Sequence, residues 1–346
     1  MNSRERLKAM VEGKQVDRIG LSGWVHMPMV DTNPKDFARA LINFTDYNEW
    51  DFIKVMSNGH YMAEAYGAEI DFSRDPHEWS GKFIRYPINN PKDYENLKVL
   101  DPKKGVLARE IELVKRLADH YKGEKPIVAT IFTPLTWLQE MTSSTMPGPT
   151  QAAMRYNAKE VHAGLSRMVE TNKLFLDELI KAGIDGIFYA TQYATRDVIT
   201  KEQHEEFARP YDMELLDYIK DRTWFNMLHI HYNKNLMFEE LLDYPVQAIN
   251  WEDKGAAESE RTSLTQARSI TDKILIGGID QHHDFYSKRN DREEIKRVLK
   301  ERLVSSLEEC PDKRFIFAPG CSLPMDVDHY VFTLMKEVVD EVCGAV

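Results

Sequence analysis

Short, continuously apolar runs recur along this chain, separated by longer stretches with apolar residues at helical spacing. The runs fall at residues 19–26, 51–56, 126–132, 184–189, 225–231, 247–251, 273–279 and 314–318. Most lack polar alternation and are flanked by Gly, Asp or Pro, the pattern of parallel strands covered on both faces. Between them, residues 151–181 place Met154, Val161, Leu165, Met168, Leu174, Leu176 and Leu179 at helical spacing and end at Gly183, a C′ glycine. Residues 34–50, 104–121, 202–221, 259–271, 291–307 and 326–342 also read as helices, as does the charged N-terminus. Alternating strands and helices imply a parallel sheet. Eight strands in 346 residues predict an α/β fold of the closed (β/α)8 TIM-barrel type rather than an open doubly wound sheet. Residues 57–125 are long for one connection and are expected to form an insertion near the barrel mouth. No Gly/Ser/Pro-rich linker interrupts the chain, so residues 1–346 are expected to form a single domain.

Composition narrows the function. With 45 Lys+Arg against 56 Asp+Glu, the formal net charge is −11, which disfavours nucleic acid and anionic membrane surfaces as partners. No run approaches the roughly 18 apolar residues of a membrane span, and residues 1–18 carry no apolar targeting segment. Three widely spaced cysteines, Cys310, Cys321 and Cys343, make no disulfide framework and suit a reducing cytoplasm. The absence of GxGxxG after a strand and of GxxxxGK[ST] argues against dinucleotide folds and P-loops. A homo-oligomer is left open, since no decisive interface patch is legible.

Barrel chemistry sits at the C-terminal strand ends. His229 and His231 are two residues apart, so both point to the same side of one extended strand. Cys321, at the end of the last strand, can add a thiolate. Two nitrogens and one sulfur make a zinc set, with the fourth position left to water, substrate or a carboxylate such as Glu252. The competing reading is a satisfied histidine pair at a barrel rim. His26 is either a cavity-facing base or a core histidine. Trp24, Tyr189 and Trp251 either wall a flat substrate or pack in the core. Asn58, His60 and Gln192 lie near strand ends and are candidate substrate contacts. Asp280 either acts in the site or caps the next helix, and Gly320 is expected to allow a tight turn before Cys321. Glu293, Glu308 and His329 form a lower-ranked metal set on outer helices.

Several segments together resemble the uroporphyrinogen decarboxylase superfamily over nearly the whole length: RERLKAMVEGKQVDRIG, FTPLTW, AGIDGIFYATQ, HIHYNKNLMFEELLDYPVQAINWED, ILIGGID and FIFAPGCSLP. The resemblance implies the same barrel and either decarboxylation or corrinoid-linked methyl transfer. True decarboxylases of this superfamily carry an arginine-rich RQAGR-type segment after the first strand. Here that region reads GWVHMPMVDTN, without arginine. Several substrate carboxylates need several cations, best supplied as guanidinium forks, and Lys54 and Arg196 are the nearest ones. The methyltransferase branch carries an HxC zinc motif with a distant Cys. His229 matches its first ligand and Cys321 its last, while His231 stands where the motif has cysteine. That exchange makes the site less anionic, and bound zinc a stronger Lewis acid.

The resemblance therefore implies a zinc-dependent methyltransferase moving a methyl group from a small methylated substrate, such as a methyl ether, to a corrinoid protein. In that reading His229, His231 and Cys321 hold the metal, His26, Glu252 and Asp280 serve catalysis, and Trp24, Asn58, His60, Tyr189, Gln192 and Trp251 contact substrate. The alternatives are decarboxylation of an acidic tetrapyrrole and non-catalytic binding of a corrinoid or tetrapyrrole.

Overall fold

The computed structural model describes residues 1–72, 79, 81–143, 148–257, 259–286 and 291–344. In chain order the strands are β1 (Gly20–Leu21), β2 (Ile53–Val55), β3 (Glu69–Asp71), β4 (Lys82–Arg85), β5 (Ile127–Phe132), β6 (Gly186–Thr191), β7 (Met227–Ile230), β8 (Ala248–Trp251), β9 (Ile274–Ile279) and β10 (Phe315–Pro319). Eight of them form one parallel sheet in the order β1-β10-β9-β8-β7-β6-β5-β2, and β3 pairs with β4 as an antiparallel hairpin. The eight-stranded sheet curls into a barrel with helices outside it. All eight apolar runs predicted from the sequence overlap one of its strands, and every residue of these strands except Phe132 is buried, because helices cover the outer face.

The barrel seam lies between β1 and β2, which share no strand ladder. Asp51 bridges it. Its backbone N–H donates to Leu21 O at 2.8 Å, and its Oδ2 accepts from Leu21 N at 2.8 Å. Ser22 Oγ adds a bond to Phe52 O at 3.0 Å. The fully buried Asp51 carboxylate also pairs with Arg6 and Arg18, both at 2.7 Å.

Helix limits differ from the sequence reading where capping and proline override periodicity. The 151–181 stretch is two helices, Pro149–Tyr156 and Ala158–Ala182, parted at Asn157, whose φ of −139° and ψ of 41° are not helical. The second ends at Gly183 with φ 110°, the left-handed C′ position expected there. The 202–221 stretch splits into Lys201–Phe207 and Arg209–Ile219, because Pro210 lacks the N–H that a continuous helix needs. The first predicted strand, 19–26, shrinks to Gly20–Leu21, and residues 22–26 run irregularly toward the mouth.

In the segment between β2 and β5, residues 73–78 and 80 lie outside the described residues. Its hairpin region reaches the mouth through Trp79, which lines the cavity there. Helix Gly105–Tyr121, expected at the mouth, instead joins the outer layer, between helices Pro34–Tyr47 and Ala158–Ala182. No helix among the described residues is long and apolar enough to cross a membrane.

Candidate metal centre and its cavity

β7 positions the two histidines. Its residues alternate, so His229 faces the barrel interior while Leu228 and Ile230 face the helices. His231 N–H extends the ladder to Thr191 O at 3.0 Å. Tyr232 then adopts a φ of 82°, uncommon for a bulky residue, which turns the chain sharply away just past His231. Cys321 arrives from the end of β10. Gly320 is needed there for close approach rather than for a turn: a Cβ would lie 2.6 Å from Glu252 Cα. Only a residue without a side chain lets the β10 end pass this close to the β8 end.

One donor atom from each of His229, His231 and Cys321 lies within 4.8 Å of the others, the one such group among the described residues. The Sγ of Cys321 is 4.0 Å from His231 Nδ1. Zinc bonds of about 2.1 Å to nitrogen and about 2.3 Å to sulfur, at tetrahedral angles, set donors about 3.6 Å apart. The donor set fits that requirement to within a small side-chain rotation. Glu293, Glu308 and His329 form no such group.

A residue not singled out from the sequence orients the first ligand. Asn250, on β8 directly across from His229, accepts from His229 Nδ1 at 2.7 Å. Its amide nitrogen donates to Ile276 O at 3.0 Å and Pro319 O at 3.1 Å. With both amide hydrogens spent on carbonyls, only Oδ1 can face the imidazole. His229 therefore carries its proton on Nδ1 and leaves the Nε2 lone pair free. Burial pushes the pKa of His229 down, and that of His231 as well, which favours the neutral, ligating form.

The three donors sit in a cavity of about 410 Å³ at the barrel mouth. Trp24, His26 and Gln192 line it. Burial, and then the charges of Lys54 and His60, lower His26 to about 3, so it is a neutral imidazole at physiological pH. Lys54, Glu140 and Trp79 also line the cavity. The sequence reading names Lys54 only as a cation for carboxylates and does not single out the other two. Glu140 Oε2 lies 2.9 Å from His60 Nδ1.

Other candidates lie elsewhere. Tyr189 points away from the cavity and donates to Asp212 in the helix layer at 2.9 Å. Trp251 is likewise fully buried outside the cavity, its Nε1 donating to Thr262 O at 2.8 Å. Both alternate with inward-facing neighbours, Phe188 and Ala190 for one and Asn250 for the other. Neither is an aromatic wall. Asn58 braces a turn beneath the mouth, donating to Asp31 Oδ2 at 3.1 Å and accepting from His60 N at 3.0 Å. His60 stands behind Trp79, ring centroids 5.5 Å apart. Asp280 caps a turn: its Oδ1 accepts from His282 N at 3.0 Å, and Oδ2 lies 2.8 Å from His283 Nδ1. Glu252 Oε2 is 3.2 Å from His282 Nε2, and its charge acts on His231. Arg196 is outside the cavity, paired with Glu240 at 2.5 Å.

An eight-stranded parallel barrel with polar and metal-capable side chains gathered at its C-terminal mouth is the architecture of a barrel enzyme. The uroporphyrinogen decarboxylase (URO-D) family profile matches residues 2–342, and the chain belongs to that family. Curated relatives fall in two groups. A methylcobamide:CoM methyltransferase from Methanosarcina acetivorans is 24% identical over 223 residues, 63% of this chain and 61% of that protein. A uroporphyrinogen decarboxylase from Corynebacterium diphtheriae is 24% identical over 221 residues, 64% of this chain and 61% of that protein. The chain thus spans about three-fifths of the length of these two relatives. Among solved structures, a methyltransferase from Methanosarcina mazei superposes with a TM-score of 0.77 at 18% identity, covering 99% of both chains. A B12-independent methionine synthase from Shewanella sp. W3-18-1 gives a TM-score of 0.57 at 12% identity, covering 94% of this chain and 96% of that one. At these identities the structural likeness is one of fold.

Proposed function

We propose that this chain is a zinc-dependent methyltransferase that moves a methyl group from a small methylated substrate, a methyl ether in the first instance, to the corrinoid of a partner protein. One observation carries the reading: two imidazoles and a distant thiol converge within 4.8 Å at the barrel mouth. The methyltransferase relatives support it. His229, His231 and Cys321 would hold the metal. When bound, zinc supplies Lewis acidity toward the heteroatom that loses its methyl, and the partner's reduced cobalt is the methyl acceptor.

The chain's own residues do the rest. Asn250 holds His229 in its ligating tautomer. Trp24, Phe188 and Trp79 exclude water from the reacting centre. Gln192 offers an amide to a substrate oxygen, and His26, neutral across the physiological range, offers a hydrogen bond without competing for a proton. Decarboxylation of a polyacidic tetrapyrrole finds less support, because Lys54 is the only Lys or Arg among the described residues lining the cavity.

Metal analysis of the wild type beside His229→Ala and Cys321→Ala tests the proposal, together with methyl transfer from a methyl ether to a corrinoid protein. About one zinc per chain, lost in both variants along with transfer, is expected. Full transfer by chelated, metal-free protein would overturn the reading.

A further inference from the structure

Behind one wall of the cavity, three carboxylates share one cation. Arg109, on helix Gly105–Tyr121, donates to Glu110 Oε1 at 3.0 Å and to the two Glu64 oxygens at 3.2 and 2.9 Å. Asp31 lies within electrostatic reach of all three. Its Oδ2 accepts from Asn58, and its buried Oδ1 has no hydrogen-bond partner among the described residues. Asp31 and Glu110 are both buried. Fully ionised, the group would leave two negative charges uncompensated, an expensive state away from water. One carboxylate would suffice to pair Arg109, so bracing the helix does not account for three. The group offers no compact donor set for a metal ion. The space beside Glu110, about 10 Å³ and walled by Val114, Phe175 and Leu179, is at the limit for a single water. A proton is the cation that fits, and burial accordingly pushes Glu110 up and Asp31 up to about 6. Ser57 joins this group to the cavity. It lines both spaces and donates to Glu110 Oε2 at 2.7 Å. With a proton on Glu110 that bond reverses, and the Ser57 O–H is free to point into the cavity.

We infer that Ser57 is the proton donor of the cavity, and that Asp31, Glu64, Arg109 and Glu110 form the proton store that refills it. This inference rests on the function proposed above and supplies the proton that reaction needs. As the methyl–oxygen bond breaks, its electron pair stays on oxygen, and the methyl carbon takes a new pair from the partner's reduced cobalt. Ser57 gives its proton to that oxygen, and Glu110 gives its own to Ser57. Water at the partly exposed Glu64 edge of the group returns a proton to Glu110. Tyr61 is the other titratable side chain facing Glu110. Burial, and then the charge of Glu110, hold its phenol far above the usual range, so it stays protonated throughout.

The test uses the full zinc-loaded chain with a corrinoid protein and two probes, methoxybenzene and 4-methoxynitrobenzene. The first releases a basic phenolate that needs a proton, and the second a nitrophenolate that leaves without one. Ser57→Ala is expected to slow transfer from methoxybenzene by about 100-fold or more, the contribution of a general acid, and transfer from 4-methoxynitrobenzene by less than about 10-fold. The ratio of the two rates does not depend on how much of a variant folds. Ser57→Thr, which keeps the hydroxyl, should restore most of the difference. The wild-type rate on methoxybenzene should fall as pH rises and the store empties, and Glu110→Gln should remove that limb. Infrared spectra of the chain alone give a readout that needs no methyl transfer. Between about pH 5 and about pH 8 the wild type should lose one more buried protonated-carboxyl signal than Asp31→Asn or Glu110→Gln, since either variant removes the excess negative charge. An equal loss on both probes, a selective loss in Lys54→Met but not in Ser57→Ala, or an infrared signal unchanged in both carboxyl variants would each overturn the inference. No transfer from either probe by the wild type, with the infrared difference intact, counts against the methyltransferase reading alone and supports the store.

Discussion

Asn250→Ala isolates the part of the centre that no metal ligand contributes. The wild-type side chain is fully buried and makes three hydrogen bonds, to His229 Nδ1, Ile276 O and Pro319 O. Alanine leaves all three partners buried and unpaired. Each costs about 1–3 kcal/mol when nothing replaces the bond. Some relaxation and water entry reduce the total, so a loss of about 3–5 kcal/mol in unfolding free energy is expected. Zinc affinity should fall separately, by about 10- to 100-fold, because His229 loses the partner that fixes its ring and tautomer. Urea unfolding of the metal-free protein measures the first quantity, and competition against a chromogenic chelator measures the second. Nitrogen NMR of the metal-free wild type adds a direct check, with His229 expected to be protonated on Nδ1. A wild-type His229 protonated on Nε2, or an Asn250→Ala protein whose zinc affinity is unchanged, would refute the orientation argument and leave Asn250 with a packing role.

Two further outcomes follow from the buried charges. Asp51→Ala leaves Arg18 without its carboxylate, leaves Arg6 with Asp17 alone, and removes the side-chain half of the bridge across the β1–β2 seam, so urea unfolding should show a loss of about 3–5 kcal/mol, and a loss under 1 kcal/mol would mean that the seam is held elsewhere. Lys54→Met should stabilise the protein, by an amount that depends on pH. The folded value of about 7 lies below the unfolded 10.5, so between them the unfolded chain binds more protons and wild-type stability rises with pH. The variant's advantage should therefore be largest below about pH 7, roughly 3–5 kcal/mol, and shrink toward pH 10; a pH-independent difference would show that the amine is not desolvated.

Much of the barrel was legible because its strands are buried on both faces and so appear as uninterrupted apolar runs. The helix breaks at Asn157 and Pro210 were less so, since apolar periodicity continues through them and only local backbone geometry shows the stop. The metal-capable set was legible in part. His229 and His231 share a side by strand parity, and Cys321 stands at another strand end. Tyr189 and Trp251 are strand-end aromatics, but the same parity turns both away from the cavity. Phe188, Ala190 and Gln192 face in, so Tyr189 must face out, and the inward position of Asn250 does the same to Trp251. Lys54 carried a signal of its own, a charged residue within an apolar run, two positions before the cavity-lining Met56. Asn250 and Glu140 carried none that a single sequence could reveal.

The order of strands, the side each residue takes along a strand and the residue types available at the mouth were properties of the sequence, because they depend on local periodicity and chemistry. Which strands stand opposite one another was decided only by the tertiary structure. The register of β7 against β8 brings Asn250 to His229, and the bare backbone of Gly320 lets β10 approach β8 closely enough to deliver a thiol to two imidazoles. The reason is physical: hydrogen bonds and donor clusters depend on distances of a few ångströms between residues far apart in the chain, and those distances exist only once the barrel has closed.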